Sequence, residues 1–185
     1  MQFVMELWLP ILVSGLAVFV ISALVWTVFP HHKREFAPLS NEGAVMDVIR
    51  AGNPSPGLYT TPHIADHKAS GTPECKAKLE RGPIAFITIA PNGMPSMGPM
   101  MAKSFVFNLV VASLVAYVGW HTLEAGTEYL QVFRVTGATA FMAYALGTVP
   151  ESIWFSRPWS SWLLGAFDSV LYALVLAGVF GSMWP

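Results

Sequence analysis

The chain sets four long apolar runs around one long polar stretch, and that pattern decides its class before any motif does. A helix needs about 20 mostly apolar residues to cross the hydrocarbon of a bilayer. Four runs meet or approach that length: 8–29 ("WLPILVSGLAVFVISALVWTVF"), 104–120 ("SFVFNLVVASLVAYVGW"), 129–149 and 161–184. Lipid offers no partner to a bare amide or carbonyl, so each run is expected to be helical. The expected fold is therefore all-α: four transmembrane helices, with a cytoplasmic insert of short helices and extended segments, 30–102, between the first and second. The first run begins with an acid and no base, "MQFVMELW", and ends in "FPHHKR". It reads as a retained anchor and not as a cleaved signal, which wants a basic start and small residues at its end.

The insert has a different rhythm. Ser40 stands where a cap would precede the helix "NEGAVMDVIRAG", with Val45, Met46, Val48 and Ile49 near one face and Gly52 closing it. "NPSPGLYTTPH" is expected to be extended, because residues before proline avoid the helical region. Thr72 and Pro73 open a second short helix through "ECKAKLER". "PIAFITIAP" reads as a strand or an interfacial stretch too short to cross. A segment this small and this rich in proline builds little core of its own. It is expected to lie against the membrane or a partner.

Composition agrees with the pattern: 54% of residues are hydrophobic, 11% are charged, and mean hydropathy is +0.53. Soluble domains carry about 25% charged residues. Charge adds an orientation. Eight of the ten Lys and Arg residues fall between the first two runs, with Lys33, Arg34 and Lys103 beside the membrane, while "HTLEAGTE" has none. The positive-inside rule then places the insert and the turn at Arg157 in the cytoplasm, with both termini and "HTLEAGTE" outside. All seven tryptophans fall at or near run ends, as an interfacial aromatic belt requires. A net charge of −1 gives no basic field for nucleic acid, and "GTPECK" lacks the spacing of a phosphate loop. The single cysteine, Cys75, excludes an internal disulfide and a cysteine-based zinc cluster.

The candidate chemistry centres on Asp168, an acid inside the fourth run. A carboxylate at mid-helix costs about 2.5–3.5 kcal/mol to insert, so it is expected to face the bundle and find partners. Beside it runs a stripe of small residues, Ser161, Gly165, Ser169, Ala173, Ala177 and Gly181, of the kind that lets helices approach closely in lipid. Tyr172 stands one turn away from Asp168 at i+4. Counting in from the run ends brings Ser22, Asn108 and Tyr144 to a similar depth, within about 5 Å at 1.5 Å per residue. The expectation is a polar cluster of Asp168, Asn108, Tyr144, Ser22 and Tyr172. Arg134, five residues into the third run, is expected to snorkel outward to Glu128 or Glu124.

No metal or other cofactor is expected. His63, Asp66 and His67 in "HIADH" are the weak candidates for a metal, since His at i and i+4 can chelate on a helix, but Pro62 and the turns around it do not frame one. Haem or pigment ligation wants a histidine in mid-span, and His31, His32 and His121 all sit at boundaries.

The ending "ESIWFSRPWSSWLLGAFDSVLYALVLAGVFGSMWP", with the opening "WLPILVSGLAVFVISALVW", resembles small, uncharacterised bacterial four-helix integral membrane proteins of the domain-of-unknown-function kind. The resemblance implies a bacterial inner-membrane protein and assigns no catalytic residue. Absent catalytic motifs, the expected function is a non-catalytic accessory or structural subunit, in the lipid bilayer with other membrane-protein subunits or with itself. The alternative is a small proton- or cation-coupled transporter using Asp168 and Asn108.

Overall fold

The structure is a computed structural model that describes residues 2–185, apart from the side chains of Arg34, His67 and Ala69. Its helices are α1 (Gln2–Glu6), α2 (Trp8–Val28), α3 (Glu42–Gly52), α4 (Pro73–Arg81), α5 (Met97–Thr122), α6 (Tyr129–Ala145), α7 (Val149–Trp154) and α8 (Trp159–Ser182). Four stretches are long and apolar enough to cross a membrane: α2, α5, α8, and the run Tyr129–Trp154 made of α6, a 3-10 turn and α7. These are the first to fourth spans in chain order.

Proline explains where the spans begin and break. Pro10 has no N–H to give to the carbonyl of Glu6, so the helix interrupts at Leu7 and restarts at Trp8. Pro150 likewise cannot continue the ladder of the third span. A 3-10 turn, Leu146–Thr148, intervenes, and α6 stops at Ala145, short of the expected Val149. The second span starts at Met97, ahead of the apolar run at Ser104. Pro99 permits this because it lies in the first turn, where its missing N–H would have had no partner.

Residues 1–36 and 96–185 form one compact unit. In it the spans pack as a closed ring, first on second, second on third, third on fourth, and fourth on first. The broadest contact is between third and fourth. The centre is filled by Val18, Val115, Val132, Leu176 and Phe180, all fully buried.

Residues 37–95 form the second unit. Two strands, β1 (Gly57–Thr61) and β2 (Ala85–Ile89), pair antiparallel with Gly57 opposite Ile89 and Thr61 opposite Ala85. Asn53 ends α3 in the left-handed conformation at φ 43°. Thr72 caps α4, its hydroxyl accepting from the Cys75 amide at 3.3 Å, with Pro73 in the first turn. Ser40 does not cap α3: Asn41 occupies the cap position, without a side-chain bond. Among the described residues of this unit none is fully buried.

Candidate functional site: a histidine–carboxylate cluster at the end of the first span

The site grows from the string "FPHHKRE". Phe29 precedes proline and is extended, at φ −80° and ψ 132°, which ends α2. Pro30, with its fixed φ, then opens a 3-10 turn, Pro30–Arg34, that carries His31 and His32. Three residues per turn eclipses positions i and i+3, so Glu35 comes to stand beside His32.

Across from this turn is Asp168, on the inward side of α8 and 3% exposed. Its two oxygens are divided between the histidines. His31 Nε2 lies 2.9 Å from Oδ1, and His32 Nε2 lies 2.6 Å from Oδ2. The other ring nitrogen of His32, Nδ1, meets Glu35 Oε2 at 2.5 Å. A carboxylate only accepts, so His32 donates from both nitrogens and carries a positive charge in this arrangement. Burial alone would lower the His32 pKa, but the hydrogen bonds and charges of Asp168 and Glu35 outweigh it and hold the pKa above the usual histidine value.

The charges continue outward. Arg157 Nη2 is 3.9 Å from Glu35 Oε1, and its Nη1 donates to Glu151 Oε2 at 2.9 Å. Aromatic rings wall the site. Trp26 stacks on His32 with centroids 4.0 Å apart and planes 2° from parallel, a geometry that favours a cationic ring. Phe29 and Phe167 stand edge-on to His31.

The expected cluster thus divides in two. Tyr144 donates to Asn108 Oδ1 at 3.0 Å, Asn108 Nδ2 donates to Ser104 O at 3.0 Å, and Tyr172 lies edge-on to Tyr144 with centroids 5.6 Å apart. Asp168 is bonded to neither Asn108 nor Tyr144. Ser22 belongs to neither group, because its hydroxyl donates to Phe19 O in its own helix at 2.8 Å. The acid's real companions come from beyond the end of the first span.

The other expectations fare unequally. Ser161, Ser169, Ala173 and Ala177 of the small-residue stripe are buried. Ala177 packs on Gly137 of the third span, where a Cβ would lie 3.2 Å from its methyl group, and Gly181 packs under Tyr129. Gly165 faces open space, with nothing within 4 Å of a Cβ built there. Among the described residues no ion pair joins Arg134 to Glu124 or Glu128. Arg134 instead lines an apolar groove with Phe133, Phe141, Val170 and Leu174, its aliphatic stem on that surface. Of the weak metal candidates, His63 is exposed, Asp66 accepts from the Lys68 amide at 2.9 Å, and the side chain of His67 lies outside the described residues.

The chain matches no protein-family model, no curated protein and no solved structure.

Proposed function

We propose that the chain is a non-catalytic accessory or structural subunit of a bacterial inner membrane, with residues 30–102 in the cytoplasm and both termini outside. The observation that carries this reading is the saturation of Asp168: both carboxylate oxygens are held by histidines that follow the first span. An acid so bound acts as a fastener between the first and fourth spans. Two further features favour partners. Only 22–33% of each span's apolar window is buried within the chain, leaving tall faces for lipid or neighbouring subunits. In the second unit Val48, Leu58 and Ile84 are exposed apolar side chains, a surface suited to a covering subunit. The transporter alternative draws less support, because Asn108 is bonded to Tyr144 and does not share a site with Asp168.

Tagged protein extracted from native membranes in mild detergent is expected to retain stoichiometric membrane-protein companions or a second copy of itself. A lone monomer would remove the subunit reading. Orientation has its own test in Cys75, the single cysteine, which is partly accessible and free. A membrane-impermeant maleimide is expected to leave it unlabelled in intact spheroplasts and to label it after permeabilisation. Labelling of intact cells would invert the topology.

A further inference from the structure

The side chains that fasten the turn to the fourth span also make a set of metal donors. We propose that His31 Nε2, His32 Nε2 and one oxygen of Asp168 form a binding site for a divalent transition-metal ion of the zinc type. This inference stands apart from whether the chain is a subunit of a larger assembly.

The three donor atoms lie within 4.8 Å of one another. Around a four-coordinate zinc ion, with bonds of about 2.0–2.2 Å, ligand atoms sit roughly 3.3 Å apart. His31 Nε2 stands 2.9 Å from Oδ1 and His32 Nε2 2.6 Å from Oδ2, so a turn of the carboxylate and a modest opening of these contacts would bring both nitrogens and one oxygen around an ion in place of the Nε2 protons. Two imidazoles and a carboxylate suit zinc and its first-row neighbours, and disfavour magnesium and calcium, which want oxygen. Three protein donors with a fourth position open is the ligand count of a zinc site that keeps an exchangeable water. His31, whose side chain is 22% exposed, is the most accessible of the three donors.

The surroundings supply the independent argument. Metal-binding histidines are held by an acceptor on their second nitrogen, which fixes ring orientation and raises basicity. His32 has that partner in Glu35. Glu35 is itself buried and steadied by Arg157. Trp26, Phe29 and Phe167 supply the dry wall that strengthens ligation. Charge also fits, since a divalent ion would balance Asp168 and Glu35 together. Among the described side chains the other histidines lack such a frame: His63 is exposed, and His121 stands edge-on to Tyr117 at 4.6 Å.

The test uses the purified full-length protein in lipid nanodiscs, with Zn2+ alone in calorimetry and Co2+ as its spectroscopic stand-in. The wild type is expected to bind one equivalent of Zn2+, and Co2+ to show the visible bands of a low-coordinate nitrogen–oxygen site that Zn2+ abolishes. Asp168→Asn and His31→Gln are each expected to weaken binding by at least 100-fold. Glu35→Gln, which leaves all three donors in place, is expected to weaken it by about 10–100-fold. His63→Gln with His121→Gln is expected to change nothing. Should Asp168→Asn fail to fold, His31→Gln and Glu35→Gln still decide the matter, because His31 is the most accessible donor and glutamine at 35 keeps the size and an acceptor oxygen of the glutamate. Folded wild type that takes up no Zn2+ would overturn the proposal, and so would binding that survives His31→Gln and Glu35→Gln unchanged.

Discussion

Replacing Asp168 with leucine is expected to cost the bundle about 3–5 kcal/mol, the penalty for removing one partner of a buried charged pair. The loss is large because the acid serves two clients. His31 and His32 each spend an Nε2 on it, and leucine would leave both donors facing apolar surface without an acceptor. His32 suffers most, since Glu35 still draws on its other nitrogen while its charge loses half its compensation. Asparagine keeps one acceptor but turns an amide N–H toward the second histidine, so Asp168→Asn is expected to fall between, at about 1–3 kcal/mol. Thermal denaturation in detergent, followed by loss of helical signal, ranks the three proteins. The same logic predicts rescue. Asp168→Leu combined with His31→Leu, His32→Phe and Glu35→Met removes the whole buried polar set and is expected to recover much of the loss, because buried ion pairs are often replaceable by apolar groups of similar volume. Recovery of that kind is the signature of coupled residues. If Asp168→Leu melts within measurement error of the wild type, the cluster does not hold the fourth span to the turn.

How much of this was legible beforehand depends on the range over which each signal acts. The four spans were readable from hydropathy alone, since lipid dictates both length and helicity. The inward direction of Asp168 followed from its own helix, whose small residues mark the packed side. Its partners did not follow. Depth matching at 1.5 Å per residue treats each span as a rod and looks for companions inside the other rods. It finds Asn108 and Tyr144, which do bond to each other. It cannot represent a chain that stops at Val28, extends through Phe29 and bends at Pro30 so that residues outside the span meet a buried acid. The contact bridges 137 positions for His31 and 136 for His32, a separation at which local pattern carries no information. A usable signal was nevertheless present: two adjacent histidines after a proline, an acid three residues beyond them, and a lone carboxylate in another span wanting partners. Arg134 failed for a related reason. Glu128 and Glu124 precede α6 and stand off the three- or four-residue spacing of a helical surface pair, and Arg134 lines the groove between the third and fourth spans instead.

The small-residue stripe of the fourth span yields the second large effect, and it separates two glycines that sequence treats as equivalent. Gly181→Leu is expected to destabilise the bundle by about 1–3 kcal/mol, the usual cost of overpacking a filled interior. Even a Cβ at 181 would stand 2.7 Å from Tyr129 Cε2 and 3.3 Å from the Tyr129 carbonyl oxygen. The ring can rotate away, but the carbonyl belongs to the backbone at the start of α6, so the two helices must part. Gly165 sits four turns nearer the start of the same helix, and a Cβ there meets nothing within 4 Å. Gly165→Leu is therefore expected to be neutral or mildly stabilising, by up to about 1 kcal/mol, since glycine is the poorer helix former. The third and fourth spans share the broadest contact of the ring, so a wedge at 181 strains the interface that contributes most. Melting temperatures of the two variants in the same detergent provide the comparison. Equal losses at both positions would mean that the fourth span packs through its whole stripe, and that the ring of contacts described above is not the one the protein adopts.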